Sequence, residues 1–272
     1  MLDVGGRLMD FSHPCVMGIL NVTPDSFYAG SCQWSVSAVA RCVEQMVADG
    51  VDIIDVGACS TRPGSTLVSE EEELQRMRMA MEAVRRAAPE AVVSIDTFRS
   101  RVACEAVERF GVAIINDVSG GEADAGMFPM VARLGVPYVL THNRTFSGES
   151  SSPGDLMTDV LQFFAAKVQR LHEMGVADVI LDPGFGFGKT LEENYLLLRR
   201  LKDLQVLGLP LLVGVSRKSM VYNVLGVTPD EALDGTTALH AVALMHGASV
   251  LRAHDVRACR QVVTILNKLR GC

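Results

Sequence analysis

Eight short runs rich in β-branched and aliphatic residues recur along this chain, at 16–20, 52–57, 92–97, 113–118, 138–141, 179–182, 211–215 and 250–254. The stretches between them carry apolar residues at helical spacing. Strands separated by helix-length crossovers pair in parallel, because an antiparallel neighbour would need only a tight turn. Eight such units favour a closed barrel over an open doubly wound sheet, which usually has fewer strands. The sequence therefore predicts an α/β fold, a (β/α)8 TIM barrel forming a single domain over residues 1–272. Residues 1–14, with the turn-forming pair Gly5-Gly6, predict a short N-terminal hairpin plugging one end.

The helices announce themselves by period and punctuation. Val36, Val39, Val43, Met46 and Val47 follow the three-and-four spacing of a buried face, with Gly50 where a C-terminal cap belongs. Ser69 to Glu72 has the composition of a capping box, opening a helix whose stripe is Leu74, Met77, Met81 and Val84 and which stops before Pro89. Leu156, Val160, Phe163, Phe164, Val168 and Leu171 form a longer stripe closed by Gly175, and Val256, Cys259, Val262, Val263, Leu266 and Leu269 supply the last one.

Composition excludes several classes of function. Hydrophobic residues are 49% of the chain and charged residues 21%, which suits a large shared core and not a disordered chain. The net charge is −7 and the 25 Lys and Arg residues are scattered, so the basic stripe of a nucleic-acid binder is missing. There is no basic flank leading into an apolar leader core, and no uncharged run long enough for a membrane span, so the chain reads as cytoplasmic. The seven cysteines (15, 32, 42, 59, 104, 259, 272) fall mostly within apolar patterns and without Cys-x-x-Cys spacing, as reduced core residues do.

Most of the apolar runs finish on a polar group: Asn21, Asp55, Asp96, Asn116, His142, Asp182, then Ser216 with Lys218, then Arg252 with His254. In a barrel the C-terminal ends of all strands face one mouth, so these residues can converge. Buried carboxylates are costly unless paired, and several at equivalent positions mark a site. Asp96, Asn116 and Asp182 belong to the third, fourth and sixth strands and can meet at the axis, where carboxylates accept adjacent N–H donors of a flat heterocycle such as an aminopyrimidinone. Asn21, Arg62, Arg252 and His254 form a cationic, amide-bearing set suited to phosphate or pyrophosphate. Arg252 and His254, two apart on one strand, face the same way.

Plainer readings compete at several positions. Asp55 and Asp117 fit turn formers or helix caps as well as ligands. His13, His172, His240 and His246 fit surface or packing roles, and His142 fits an orienting role better than direct catalysis. The run 184–190 resembles a phosphate loop but fails its pattern, since Pro183 stands where the first glycine is required and Lys189 where a dinucleotide loop needs its third.

Long segments of the chain, in order, resemble dihydropteroate synthase. They are Met17-Gly18-Ile19-Leu20-Asn21-Val22-Thr23-Pro24-Asp25-Ser26-Phe27, Ser60-Thr61-Arg62-Pro63-Gly64, Ser94-Ile95-Asp96-Thr97, Ile115-Asn116-Asp117, Leu181-Asp182-Pro183-Gly184-Phe185-Gly186-Phe187-Gly188-Lys189, Ser216-Arg217-Lys218-Ser219 and His254-Asp255-Val256. The resemblance implies condensation of 6-hydroxymethyl-7,8-dihydropterin diphosphate with 4-aminobenzoate in folate synthesis. It also implies that Asp96, Asn116, Asp182 and Lys218 hold the pterin and that Arg62, Arg252 and His254 contact the diphosphate. Asn21 would ligate Mg²⁺, while Phe27, Thr61, Pro63 and Ser216 would shape the aminobenzoate pocket. Asp96, Lys218, Arg252 and His254 form the implied catalytic set. A homodimer through the late helices (220–225 and 238–245) and a sulfonamide target are further implications. An arylamine is a weak nucleophile, so an SN1-like path in which cations and metal help the diphosphate leave suits the residues.

The chain departs from the family pattern at Cys59 (usually Glu), Thr141 (commonly Met) and Ala253 (usually Val), changes that leave the charged set intact. A pterin-binding methyltransferase on the same barrel would need no diphosphate site, against Arg62, Arg252 and Lys218. A non-catalytic paralogue would have lost diphosphate or metal ligands, which here are present.

Overall fold

The computed structural model describes residues 1–22, 35–59, 67–147 and 156–271. Leu2–Asp3 (β1) and Leu8–Met9 (β2) pair antiparallel as the expected hairpin. The eight remaining strands are β3 (Cys15–Asn21), β4 (Ile53–Gly57), β5 (Val92–Asp96), β6 (Ile114–Asp117), β7 (Tyr138–Thr141), β8 (Val179–Asp182), β9 (Leu212–Val213) and β10 (Val250–Ala253). They pair in parallel in the order β8-β7-β6-β5-β4-β3-β10-β9. A parallel bridge between Leu181 and Leu211 joins the outer two, bringing the sheet round into a nearly closed barrel. β9 is shorter than the run at 211–215 because the backbone is already turning at Val215, whose carbonyl accepts from the Lys218 amide at 3.2 Å.

The alternation of side chains along each strand builds two separate cores. Met17, Ile53, Ile114, Val139, Ile180 and Leu212 point inward near the strand starts and cluster with Leu2 and Val4, so the hairpin seals the floor. Asp178 anchors it by accepting from the Asp3 amide at 2.9 Å. The opposite parity, including Val16, Ile54, Val93, Ile115, Leu140 and Leu181, packs outward against the helices. Each such side chain, fully buried, contributes roughly 1.5–3 kcal/mol.

The helices are α1 (Val36–Ala48), α2 (Glu70–Ala87), α3 (Ser100–Phe110), α4 (Met127–Leu134), the single turn α5 (Arg144–Ser147), α6 (Leu156–Glu173), α7 (Leu191–Arg199), α8 (Ser219–Leu225), α9 (Leu233–Met245) and α10 (Val256–Arg270). The stripe of α2 is buried as expected. Val47 is not: it lies a further 100° round from Met46 and faces solvent, as does Leu269 in the last turn of α10. The capping box at Ser69 forms only by half. Ser69 Oγ accepts from the Glu72 amide at 3.2 Å, but the Glu72 carboxylate pairs with Arg76. Complete boxes lie instead at Thr190 and Glu193, opening α7, and at Thr228 and Glu231. Among the described residues, no helix is long and apolar enough to cross a membrane.

Candidate active site

Above the apolar floor the same inward parity turns polar. Ile53 is followed inward by Asp55 and Gly57, Ile114 by Asn116, Ile180 by Asp182, and Val250 by Arg252. One step of two residues thus carries each strand from core to chemistry.

Arg252 stands at the centre. Its Nε donates to Asp55 Oδ2 at 2.7 Å and its Nη2 to Asp96 Oδ2 at 2.6 Å, while Asn116 Nδ2 donates to the same Asp55 oxygen at 3.0 Å. Burial works against the Arg252 cation, but the two carboxylates more than offset it and its pKa is raised. Asp96 is displaced upward as well, because burial outweighs its pairing with Arg252. Asp182 is also raised by burial, opposed by Lys218 and by the Gly184 amide, which donates to its Oδ1 at 2.8 Å. Burial pulls Lys218 down to about 8 against the attraction of Asp182, with Arg252 and Asp96 also close enough to act on it. Three carboxylates and two cations from β4, β5, β8, β10 and the turn after β9 therefore share one interior, and Asp96 and Asp182 act on the same pair of cations.

The Lys218 ammonium donates to the Phe185 carbonyl at 2.6 Å and lies 4.6 Å from the centre of the Phe187 ring. Both phenylalanines belong to the glycine-rich turn after β8. That turn needs glycine at 184, where φ is 70° and a Cβ would come within 2.0 Å of the His142 carbonyl oxygen. Lys189 pins it, its Nζ donating to the carbonyls of Gly184 at 2.9 Å and His142 at 3.0 Å. The turn is thus an internally tied platform under Lys218.

Across the mouth, Ser216 Oγ lies 3.0 Å from His254 Nδ1 and accepts from the His254 amide at 3.2 Å. Asn21 ends β3 beside Gly57, where an added Cβ would fall 2.9 Å from Asn21 Oδ1 and 3.7 Å from Asp96 Oδ2. The missing side chain leaves Asn21 Oδ1 facing a small space, an oxygen donor that suits a hard cation bound chiefly through phosphate and water, while the Asp96 oxygen beyond it is held by Arg252. Phe27, Thr61, Arg62 and Pro63 lie outside the described residues.

The placements of Arg252 and His142 differ from the simplest reading of the sequence, while Asp117 takes the turn-forming one of its two readings. Arg252 is not confined to a separate anion-binding group, since it ties the carboxylates together. Asp117 is a turn former, accepting from the Ser119 and Gly121 amides and from the Ser119 and Tyr138 hydroxyls. His142 faces outward, its ring 5.0 Å from Phe163, and burial holds it down to about 3, so it packs as a neutral ring. Of the departures, Thr141 is buried at the end of β7, Ala253 is buried among outward-facing residues, and Cys59 is partly buried just past β4.

Two pairs escape sequence reasoning. Glu73, fully buried in the first turn of α2, accepts from Thr97 Oγ1 at 2.6 Å and from Arg99. It heads the helical stripe that continues through Met77, Ala80 and Val84, a legible signal. Arg217 pairs with Asp255, and no periodicity marks that contact.

Residues 17–254 match the family described as pterin binding enzyme. The dihydropteroate synthase of Escherichia coli (strain K12) is 41% identical over 266 residues, covering 96% of this chain and 93% of that protein. The Streptococcus pyogenes enzyme of the same name is 39% identical, with 97% and 98% covered. Among solved structures, the Yersinia pestis dihydropteroate synthase in complex with a sulfonamide drug superposes with a TM-score of 0.91 at 39% identity, covering 99% of this chain and 98% of that one. That of Xanthomonas albilineans with 4-aminobenzoic acid gives 0.92 at 35%, with 100% and 98% covered. A mouth lined by paired carboxylates and cations, on a barrel matched along nearly its whole length, places this chain in the dihydropteroate synthase family of pterin-binding transferases.

Proposed function

We propose that this protein condenses 6-hydroxymethyl-7,8-dihydropterin diphosphate with 4-aminobenzoate, giving 7,8-dihydropteroate and pyrophosphate. The observation that carries the reading is the joint presence of Asp96, Asn116, Asp182, Lys218 and Arg252 in one interior. Asp96 and Asp182 accept from the amino and ring N–H donors of the pterin, with Asn116 and Lys218 completing its edge. Arg252 and His254 contact the diphosphate, with Arg62 joining them, and Ser216, Phe27, Thr61 and Pro63 shape the aminobenzoate pocket. The C–O bond to the diphosphate breaks first and its electron pair leaves with the oxygen. The nearby carboxylates stabilise the resulting pterin methylene cation. The arylamine lone pair then forms the C–N bond and its surplus proton passes to solvent, so no side chain need act as nucleophile or strong base. Mg²⁺, held through Asn21, would neutralise charge on the departing diphosphate.

Purified protein given Mg²⁺, the pterin diphosphate and 4-aminobenzoate is expected to release pyrophosphate and dihydropteroate in equal amounts. Pyrophosphate without dihydropteroate would refute the condensation, and pterin binding with no turnover would favour the non-catalytic reading. Asp182→Asn is expected to weaken pterin binding roughly ten- to a hundredfold, the loss of one charge-assisted contact. Unchanged affinity by calorimetry would remove Asp182 from the pterin site.

The chain works as one domain in the cytoplasm and pairs with a second copy of itself. Val224 and Leu225 of α8, Val242 and Met245 of α9, and Ile265 and Leu269 of α10 are exposed apolar side chains on neighbouring helices, surface that a dimer would cover. Sedimentation equilibrium reading a monomer at micromolar concentration would exclude the dimer.

A further inference from the structure

Among the described residues, Arg217 is the one non-glycine residue in the left-handed backbone region, at φ 53°. A side chain with a Cβ is disfavoured there. Asp255 breaks a second local rule. Aspartate at the N-cap of a long helix ordinarily accepts from the first-turn amides, yet the Asp255 side chain makes no cap bond to α10. The two irregularities meet in one contact. Arg217 Nε donates to Asp255 Oδ2 at 2.9 Å and Nη2 donates to Oδ1 at 2.7 Å, a parallel fork. Arg217 Nη1 also donates to Asp230 at 3.2 Å, and the Arg217 amide donates to Thr236 Oγ1 at 3.1 Å.

The position of this fork gives it consequence. Arg217 lies between Ser216 and Lys218, and Asp255 directly follows His254. The kink at 217 turns Ser216 toward the His254 ring and Lys218 toward the Phe185 carbonyl. Two adjacent strand ends are therefore joined behind the site by a geometry that neither segment would adopt unaided. Local rules broken together, with no gain to either helix or turn, are the mark of a constraint set by function.

We propose that Arg217 and Asp255 are a positioning pair that fixes the separation of Lys218 from His254. Lys218 is the contact on the ring side of the bond that breaks and His254 the contact on the leaving-group side, so the pair sets how well both act at once. Only that allocation of substrate groups rests on the function proposed above.

Arg217→Gly tests the pair, because glycine accepts φ 53° without strain and deletes the fork together with only the exposed contact to Asp230. Its melting temperature is expected within about 4 °C of the parent. Its kcat is expected to fall about ten- to a hundredfold, with the KM for the pterin diphosphate changing far less. Asp255→Asn, which keeps a capping side chain, is expected to lose a similar factor, and the double variant no more than either single one. Losses that multiply in full, or a kcat like the parent's in Arg217→Gly, would overturn the pair. Should the parent make no dihydropteroate, the substrate reading fails by itself, and the imidazole ¹⁵N spectrum of His254 still decides about the pair. That spectrum is expected to change in Arg217→Gly as the Ser216 contact loosens, and an unchanged spectrum would sink the proposal.

Discussion

Arg252→Met is expected to cost about 3–5 kcal/mol of folding stability, the range for removing one partner of a buried charge network, and to abolish product formation. Its guanidinium lies between Asp55, which is fully buried, and Asp96. Without it, the two carboxylates face each other with no cation between them, and Asp96, already raised by burial, rises further. A carboxyl whose folded pKa exceeds its unfolded value binds more protons in the native state, so its contribution to stability is lost as pH rises through the folded pKa. The deficit should therefore be largest in mild alkali and shrink as the solution is acidified. Urea unfolding of parent and variant at about pH 8 and about pH 5.5 measures this. A deficit below about 1 kcal/mol, or one that grows in acid, would contradict the central place given to Arg252.

Lys218→Met should lower turnover by about 10²–10³, as loss of a preorganised electrostatic donor does, and the parent's own pH profile should show why. Burial lowers Lys218 from its ordinary 10.5 to about 8. Below about 8 both the folded and unfolded chains carry the ammonium, and the cost of burying it is present in full. Between about 8 and 10.5 the unfolded chain holds the proton more tightly, so stability rises with pH. Activity moves the other way, because the contact needs the cation. Stability gained and activity lost over one alkaline window is an uncommon combination, and the methionine variant should lack the Lys218 share of both. Lys189, lowered by burial to about 7, adds to the stability slope but touches only backbone carbonyls, so it should leave the activity limb alone. Activity that stays level up to about pH 9.5 would show that the ammonium of Lys218 is not required.

The architecture was legible because alternation and period act over many residues. The runs at 138–141 and 179–182 became strands with the same limits, and the α2 stripe is wholly buried. Asp96, Asn116, Asp182, Lys218 and Arg252 could be picked out because each lies at the C-terminal end of a strand or in the turn beyond it. What stayed hidden was pairing. A sequence states that Arg252 faces the mouth, but the side chain's length lets it choose between phosphate outside and carboxylates inside. Asp55 and Asp117 looked equivalent as acidic groups at strand ends, yet parity separates them. Asp55 shares the inward face of β4 with Ile53, whereas Asp117 points to the helix side and caps its own turn. The capping box failed at Ser69 for a local reason, since Arg76, one turn on, competes for the Glu72 carboxylate.

The hairpin under the barrel has a consequence for traffic. With Leu2 and Val4 closing the floor against Met17 and Ile53, passage to the described interior is shut at the strand starts and left to the opposite end. Whatever settles deepest must enter first and cannot depart while a later arrival stands above it. The sequence of arrivals and exits in such a vessel is imposed by its shape, and for the condensation proposed above, kinetics with two substrates and two products should read as ordered queueing.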